Sequence, residues 1–275
     1  MRQADETTMI ETIEKYWDTQ PCNVKHGTAP VGTKEWSEQV RNRKYLVEPH
    51  IPLFANFAMW NGKSVLEIGC GIGTDTLSFL EHGAIVDALD LSEESLKLTA
   101  SRTEEYGKKS PYQWRSRARL FHVNAEDWLP GNAGKGGYDL VYSFGVLHHT
   151  PNPLKVLRNA RSKMKQGAEL RIMLYAKYSW KNLFTRQQPE AQGGCPLARK
   201  YTVKEARDLV EMAGFKVESI EKTHIFPWRI KDYIQHRYVK AWPWKILPKP
   251  VFLWLEKVLG WHLLIKAVRP VERTA

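Results

Sequence analysis

The feature that most constrains this chain is a short apolar run followed by alternating glycines, at residues 64–76 (SVLEIGCGIGTDT). The apolar part predicts a strand of a parallel sheet, because such strands are buried on both faces. Gly69, Gly71 and Gly73 have no Cβ, so the backbone can turn tightly and a ligand can come close to its amides. The helix predicted from Thr74 presents free N-terminal amides to a polar or anionic group. This arrangement predicts a nucleotide-type site.

Two kinds of nucleotide site share this strand-turn-helix pattern, and three residues distinguish between them. The dinucleotide fingerprint G-x-G-x-x-G requires a glycine at position 74, where this chain has Thr74. Glu67 precedes the glycines, and its carboxylate would repel a pyrophosphate but attract an ammonium group. Asp90 ends the second apolar run and can accept hydrogen bonds from ribose hydroxyls. We therefore expect a ligand that carries an amino group and a ribose but no phosphate.

Four motifs, in this order, resemble those of the class I S-adenosylmethionine-dependent methyltransferases, and within them the ubiquinone-biosynthesis-like group called methyltransferase type 11. They are VLEIGCGIG at residues 65–73, VDALDLS at 86–92, VNAED at 123–127 and YDLVYSFGVLHHTP at 138–151. The resemblance implies a doubly wound α/β fold with a seven-stranded, mostly parallel sheet whose last strand is antiparallel. It also implies S-adenosyl-L-methionine as the cofactor and a methyltransferase activity.

The cofactor residues that the resemblance implies lie within these motifs. Glu67 is expected to hold the amino end of the cofactor, directly or through water, and Asp90 to bind the ribose hydroxyls. Leu91 is expected to flank the adenine. Asn124 stands where many relatives carry an aspartate, and its amide oxygen can still accept a hydrogen bond from the adenine amine. The full expected set is Glu67, Gly69, Cys70, Gly71, Gly73, Asp90, Leu91, Asn124, Ala125, Glu126, Phe144 and Gly145.

The chemistry expected of such a site makes few demands on the protein. Methyl transfer from a sulfonium requires mainly alignment of the reacting atoms and a dry site. A general base is needed only where the acceptor must lose a proton. His148 and His149 are the candidate catalytic residues, although such a pair is widespread in the group and one histidine can simply line the pocket. The acceptor is expected to be a small-molecule or lipid-like metabolite, methylated at oxygen, nitrogen or carbon.

Composition argues against several other classes of protein. No stretch of the 275 residues reaches the roughly 20 uninterrupted apolar residues that a membrane span needs. The first fourteen residues are polar and include acids, which does not predict a signal peptide. Cys22, Cys70 and Cys195 form no CxxC pair, and they would gather a soft ion only if the fold brought them together. We therefore expect a cytoplasmic protein and predict no metal site.

The segment 225–259, between the last two predicted strands, is far longer than a hairpin loop. It interleaves aromatic side chains such as Trp228, Trp242 and Trp254 with cations. Three interpretations stay open: a helical cap on the sheet, a docking site for an anionic membrane, or an RNA contact that would make the chain an RNA methyltransferase. The net charge of +11 agrees with all three. Nucleic acid is the least favoured partner, because no RNA-binding module is recognisable.

We expect one domain with two additions: a core at 61–224 and 260–275, an N-terminal helical arm at 1–60, and the helical insertion 225–259. The arm is expected to act as a lid, in which Tyr16 and Trp17 either cover the reacting groups or pack as ordinary helix residues. Further candidates for acceptor binding are Arg43 in the arm, and Tyr178 and Trp180 in the variable stretch 177–201. The alternative to an enzyme is a cofactor-binding partner or membrane-surface module without catalysis.

Overall fold

A mixed sheet with an apolar core on each face organises the chain. The computed structural model describes residues 3–108, 114–131, 136–184 and 195–272. The strands are β1 Ser64–Ile68, β2 Ile85–Asp90, β3 Ala118–His122, β4 Tyr138–Phe144, β5 Met164–Ala176, β6 Lys200–Tyr201, β7 Lys216–Thr223 and β8 His262–Val268. The helices are α1 Gln3–Thr19, α2 Lys34–Val47, α3 His50–Ala55, α4 Thr74–Glu81, α5 Glu93–Gly107, α6 Trp114–Arg117, α7 Pro153–Lys163, α8 Trp180–Phe184, α9 Val203–Met212, α10 Ile230–Ile234, α11 Trp242–Ile246 and α12 Lys249–Leu259.

The order of the strands confirms the predicted α/β fold. Neighbouring strands follow the order β3-β2-β1-β4-β5-β8-β7, and β6 pairs with the end of β5. The pairs among β1 to β5 are parallel, whereas β8 runs antiparallel between β5 and β7. The described residues contain one strand more than the predicted seven, because residues 200 and 201 pair with the carboxyl end of β5.

The chain order reverses at β1, which lies between β2 and β4. All five residues of β1 are buried. Leu66 and Ile68 pack into the core on one face of the sheet and Val65 into the core on the other face. Burial on both faces explains why apolar residues do not alternate regularly with polar ones in this strand. In open parallel sheets, a ligand crevice forms at the carboxyl ends of the strands beside such a reversal.

The fifth strand begins earlier than the sequence predicts. The sequence predicts a helix from about Asn152 to Lys165 that stops at Gly167, and a fifth strand from Glu169, but α7 ends at Lys163 and Gly167 lies inside β5. Gly167 has a φ of 75°, and the pairing of β5 with β4 shifts register around it. A glycine with positive φ fits a bulge as well as it fits a helix end. The predicted helix stop is therefore wrong, and the glycine marks a sheet irregularity.

The insertion is helical, as the predicted helical cap requires, and it contacts both the sheet and the arm. Its last helix, α12, packs beside β7. Its first helix, α10, meets α2 of the arm: Arg43 Nη2 donates a hydrogen bond to the Tyr233 carbonyl at 2.7 Å, and the guanidinium lies 4.1 Å from the Tyr233 ring centroid. On the outer side, Trp242 and Trp254 are 73% and 61% exposed. The rings of the insertion are therefore only partly packed on the core.

A buried arginine joins the arm to the glycine loop through hydrogen bonds. Arg102 on α5 is 1% exposed and donates hydrogen bonds to Ser37 Oγ at 2.6 Å, to Thr74 Oγ1 at 3.1 Å and to the Ile72 carbonyl. Ser37 belongs to α2, whereas Ile72 and Thr74 belong to the loop and first turn of α4. Burial lowers the pKa of Arg102 to about 10, so the side chain remains cationic at neutral pH.

Replacing Arg102 with methionine should lower the free energy of unfolding by about 2–4 kcal/mol, because hydrogen bonds from a charged donor contribute roughly 1.5–3 kcal/mol each and are not additive. Urea unfolding followed by circular dichroism measures this change. Arg207→Met is the matched control, since Arg207 pairs with Glu211 on the surface of α9 and such pairs contribute at most about 1 kcal/mol. Equal losses in the two variants would show that Arg102 does not fasten the arm.

Candidate functional site

A cavity of about 210 Å³ lies at the carboxyl ends of β1, β2 and β4, where the strand order predicts a crevice. Loops after these strands line it together with residues of the arm. Most of the expected cofactor residues line it, and Glu67 and Gly73 are the two that do not. The expected residues in the lining are Gly69, Cys70, Gly71, Asp90, Leu91, Asn124, Ala125, Glu126, Phe144 and Gly145.

The three glycines of the loop have different surroundings. All have positive φ, between 53° and 76°, a region that favours glycine. At Gly69 a Cβ would lie 2.2 Å from Val146 Cγ2, and at Gly73 it would lie 2.6 Å from Thr99 Cγ2, so close packing requires both. At Gly71 a Cβ would meet nothing within 4 Å. Gly71 therefore leaves open space that a ligand could fill, whereas Gly73 allows the loop to pack closely against Thr99.

Asp90 holds this loop from the end of β2. Its Oδ2 accepts the Gly71 N–H at 2.7 Å, and its Oδ1 accepts the Ser92 N–H at 2.9 Å. Burial raises the pKa of the Asp90 carboxyl, and the backbone N–H groups oppose that shift. Each carboxylate oxygen retains a further lone pair. The side chain can therefore accept hydrogen bonds from ligand hydroxyls while it keeps its own loop in place.

Asn124 begins the loop after β3 and forms a turn of its own. Its Oδ1 accepts the Glu126 N–H at 3.0 Å, and its Nδ2 donates to Asp127 Oδ2 at 3.0 Å. Glu126 Oε1 in turn accepts the Asn152 N–H at 2.8 Å, which ties the loop to the start of α7. The expected hydrogen bond from an adenine amine would use the second lone pair of Asn124 Oδ1.

Glu67 lies behind the glycine loop rather than in the cavity lining. Its Oε2 accepts a hydrogen bond from Thr76 Oγ1 at 2.6 Å, and the residue is buried. Burial, and then the charge of Asp75, raise the pKa of Glu67 to about 8. A cation brought near this carboxyl would favour its ionised form. Of the two expected ways of holding an amino group, the geometry favours the indirect one, through water.

The two candidate catalytic histidines follow β4 but have different environments. His149 lines the cavity, and its Nδ1 donates to the Leu197 carbonyl and lies 3.4 Å from Cys195 Sγ. Its Nε2 has no hydrogen-bond partner among the described residues. Burial lowers the pKa of His149, which keeps the ring neutral and Nε2 unprotonated at neutral pH. His148 is fully buried outside the lining, with its ring centroid 3.6 Å from that of Tyr175.

The arm contributes Trp17 to the cavity lining, which agrees with its expected covering role. The Trp17 ring meets His149 edge-on at 5.5 Å, and Tyr16 packs edge-on against Trp17 at 4.9 Å without lining the cavity. The neighbouring Asp18 accepts a hydrogen bond from Ser92 Oγ at 2.8 Å. Asp18 thus anchors the end of α1, so that Trp17 faces the cavity and Tyr16 supports it.

The remaining acceptor candidates lie away from this cavity. Arg43 is buried against Tyr233 of the insertion, so its guanidinium does not reach a ligand here. Tyr178 is exposed and Trp180 begins α8, and neither lines the cavity. Within the stretch 177–201, residues 185–194 lie outside the described residues. A role in acceptor binding for Tyr178 and Trp180 stays a prediction.

Sequence reasoning missed the far end of the cavity, which Lys44, Glu48, Met173, Tyr175 and His262 line. They come from the end of α2, the end of β5 and the start of β8. Because β8 is antiparallel, its first residue lies at the same sheet edge as the last residues of β5. The predicted antiparallel last strand therefore already implied that Tyr175 and His262 lie at the same edge of the sheet. No pattern in the sequence points to the residues from the arm.

Comparisons with known proteins agree with this geometry. Residues 66–170 match a family model described as a methyltransferase domain. The ubiquinone biosynthesis O-methyltransferase of Vibrio parahaemolyticus is 34% identical over 109 residues, which are 40% of this chain and 42% of that protein. The enzyme of the same name from Thiobacillus denitrificans is 33% identical over 106 residues, 38% of this chain and 41% of that protein. The chain thus spans less than half the length of these curated relatives.

Solved structures share the fold over nearly the whole chain. Magnesium protoporphyrin IX methyltransferase from Synechocystis, with bound S-adenosylmethionine, superposes with a TM-score of 0.57 at 15% identity and covers 95% of this chain and 97% of its own. The cyclase SpnF superposes with a TM-score of 0.56 at 17% identity and covers 96% and 93%. One fold therefore serves a methyltransferase and a cyclase, and the chemistry must be argued from the site.

Replacing Glu67 with glutamine should remove a pH-dependent loss of stability. The carboxyl stays protonated in the folded chain up to a pKa of about 8 but titrates near pH 4.3 when unfolded. Between these values the folded state binds the extra proton, so stability falls as the pH rises. The stability of Glu67→Gln relative to the natural chain should therefore increase from pH 5 to pH 8, by at most about 1.4 kcal/mol per pH unit.

Urea unfolding at several pH values measures this difference. Glu93→Gln is the control, because Glu93 is exposed on the first turn of α5 and its substitution should leave the pH dependence unchanged. Parallel stability curves for the natural chain and Glu67→Gln would show that Glu67 ionises in the folded state as it does in the unfolded state.

Proposed function

We propose that this chain, whose core domain belongs to the class I S-adenosylmethionine-dependent methyltransferases, transfers the methyl group of S-adenosyl-L-methionine to a small-molecule or lipid-like acceptor. The observation that carries the proposal is the pairing of an open glycine, Gly71, with the strand-end carboxylate of Asp90 in the cavity wall. The match of residues 66–170 to a methyltransferase domain supports the same function.

The hydrogen-bonding groups of the cavity fit this cofactor better than a dinucleotide. Asp90 offers acceptors to ribose hydroxyls, and Asn124 offers one to the adenine amine. Lys44 is the only lysine or arginine among the described lining residues, and its Nζ already donates to Asp75 Oδ1 at 2.8 Å. The lining therefore supplies little positive charge for a pyrophosphate. In this proposal Glu67, buried behind the loop, ionises when the cationic amino group binds near it and then attracts that group.

The lining residues have separate tasks in this proposal. The bound cofactor supplies a methyl group activated by its sulfonium. Asp90 holds the ribose, while Leu91 and Ala125 flank the adenine. Phe144 and Gly145 form the floor under the reacting groups. Trp17 covers the site from the arm and excludes water, which strengthens the electrostatic interactions inside.

An oxygen acceptor is the form of the reaction that the site supports best. The curated relatives are named O-methyltransferases, and a hydroxyl acceptor must lose its proton. His149 is the proposed general base, since its unprotonated Nε2 lacks a partner among the described residues and Leu197 fixes the tautomer through Nδ1. His148 is a positioning residue in this proposal, because it packs behind His149 against Tyr175.

The function can be tested by incubating the chain with S-adenosylmethionine and a panel of phenols and catechols, with and without alkyl chains. S-adenosylhomocysteine and a methylated product should appear together in the mass spectrum. Asp90→Asn should weaken cofactor binding about tenfold or more, because a hydrogen bond to a charged group contributes roughly 1.5–3 kcal/mol. His149→Asn should leave the cofactor Kd unchanged and lower kcat by about 10²-fold or more.

Asp139→Asn is the matched control for the binding variant. Asp139 is also a carboxylate on a central strand, and it accepts the Ser64 N–H at 2.9 Å, but it lies at the start of β4, opposite the cavity. Its substitution should leave the cofactor Kd unchanged. Cofactor binding without S-adenosylhomocysteine from any acceptor would favour the non-catalytic alternative.

We further propose that the insertion docks this enzyme on an anionic membrane surface, which would suit a lipid-like acceptor. Trp242, Ile246 and Trp254 are exposed on α11 and α12, beside the lysines of the same segment. The acids of the insertion are engaged internally: Asp232 pairs with Arg229 and Arg237, and Glu256 accepts the Ile225 N–H. Exposed tryptophan beside lysine is typical of proteins that bind headgroups.

Any such contact would be peripheral for the described part of the chain, in which no helix has the length and apolarity to cross a membrane. Sedimentation with vesicles should show binding to phosphatidylcholine containing phosphatidylglycerol at low salt, and weaker binding at high salt. The double variant Trp242→Ala, Trp254→Ala should bind several-fold more weakly. Trp128→Ala is the control, since Trp128 is exposed but lies after β3. Absence of binding to anionic vesicles at low salt would contradict the proposal.

A further inference from the structure

The far end of the cavity holds a group of side chains that the proposed methyl transfer does not use. Glu48, His224 and His262 each offer one ligand atom, and these atoms lie within 4.8 Å of one another. We call these three residues the histidine cluster. His50 lies beside them, with its Nε2 at 3.0 Å from His262 Nδ1. Glu48 and His262 line the cavity, so the cluster borders the space in which an acceptor would lie.

Three separate parts of the fold bring the cluster together. Glu48 follows the end of α2, His224 follows β7 and His262 is the first residue of β8. The His224 carbonyl accepts the Trp261 N–H at 2.9 Å, which fixes the turn beside the start of β8. His224 has a φ of 74°, in the left-handed region that few residues other than glycine adopt. Such a conformation persists where the surrounding structure holds the residue in place, as the hydrogen bond from Trp261 does here.

The chemistry of these donors points to a particular class of ion. Two imidazoles and one carboxylate, with a remaining position open to a cavity, are the donor set of catalytic zinc sites. Magnesium and calcium prefer sites made of oxygen atoms. His262 Nδ1 lies 3.8 Å from Glu48 Oε1 and 3.0 Å from His50 Nε2, so His50 faces the same ring nitrogen as Glu48 and its contact orients the His262 ring. Lys44, the lysine of the described lining, is neutralised by Asp75, whereas the charge of Lys181 acts on His224 and His262 and opposes a bound cation.

We propose that Glu48, His224 and His262 bind one divalent transition-metal ion of the zinc class, with its open position toward the acceptor end of the cavity. The ligand atoms lie within 4.8 Å of one another, and His262 Nδ1 is 3.8 Å from Glu48 Oε1, whereas about 3.4 Å is expected around a tetrahedral ion with bonds of about 2.1 Å. Small rotations of the three side chains would close that difference. The sequence gives no sign of this site, because its ligands are separated by 176 and 38 positions along the chain.

The role of the ion, unlike its binding, rests on the proposed methyl transfer. A hydroxyl coordinated to such an ion loses its proton more easily. His149 Nε2 would take that proton. The acceptor oxygen would then form the new bond to the methyl carbon with its lone pair. The bond between methyl carbon and sulfur breaks, and its electron pair stays on sulfur as a neutral thioether.

The test is metal binding by the full chain without cofactor or acceptor, after removal of any affinity tag and dialysis against EDTA. Titration calorimetry with ZnCl₂ should show one equivalent bound, and CoCl₂ should give the visible absorption bands of a site with nitrogen and oxygen ligands. MgCl₂ should give no comparable heat. Glu48→Gln and His224→Gln should each weaken zinc binding about tenfold or more.

His82→Gln is the matched control, because His82 follows α4 and stacks on Phe57 away from the cluster. It should bind zinc as the natural chain does. Absence of zinc binding by the natural chain, equal affinity for magnesium, or unchanged binding in both cluster variants would overturn the proposal. Even if a variant does not fold, the cobalt spectrum of the natural chain tests whether nitrogen and oxygen ligands bind the ion. Zinc binding in a chain that produces no S-adenosylhomocysteine would leave the metal site standing and refute the methyl transfer alone.

Discussion

The carboxylate of Asp90 is the interaction on which the site depends. It accepts the N–H groups of Gly71 and Ser92 together, and so joins the loop after β1 to the start of α5. A loop with three glycines loses much conformational entropy when it becomes fixed. Hydrogen bonds to a charged acceptor are the stronger kind and offset part of that loss. The residue proposed to bind the ribose is thus also the one that gives the cavity its shape.

A second buried carboxylate, Asp75, holds α2 of the arm against the core through hydrogen bonds. It accepts hydrogen bonds from Lys44 Nζ at 2.8 Å, from the Tyr45 hydroxyl at 3.0 Å and from the Tyr142 hydroxyl at 2.9 Å. Without α2, this carboxylate would lose its cation, and an unpaired buried charge is strongly destabilising. Of the expected lid, only α1 with Trp17 covers the cavity, whereas α2 belongs to its frame. The charge of Asp75 also contributes to the raised pKa of Glu67.

The parts of the structure that could be predicted are those set by neighbours in sequence. The strand at Val65, the turn at Gly71 and the carboxylate of Asp90 follow from local pattern, and the sheet topology is what the resemblance to the class I methyltransferases implies. Side-chain direction behind a loop is not local, so the sequence leaves open whether Glu67 holds an amino group directly or through water, and the side chain lies outside the cavity lining. Gly167 predicts a helix end but lies at a sheet irregularity, because a positive φ suits a helix end and a bulge equally.

The functional groups of the cavity follow one another in the same order as the strands that carry them. The ends of β3 and β2 supply the acceptors that we propose for adenine and ribose, β1 supplies the open glycine, and the turn after β4 supplies His149. Beyond them, β5 and β8 supply Tyr175 and His262. The four motifs all belong to the first group of strands, whereas the insertion enters the fold between β7 and β8. The histidine cluster uses the residues at both ends of that connection, His224 and His262. A long insertion at this point therefore changes the acceptor end and leaves the cofactor end intact, which is why the motifs identify the cofactor but not the acceptor.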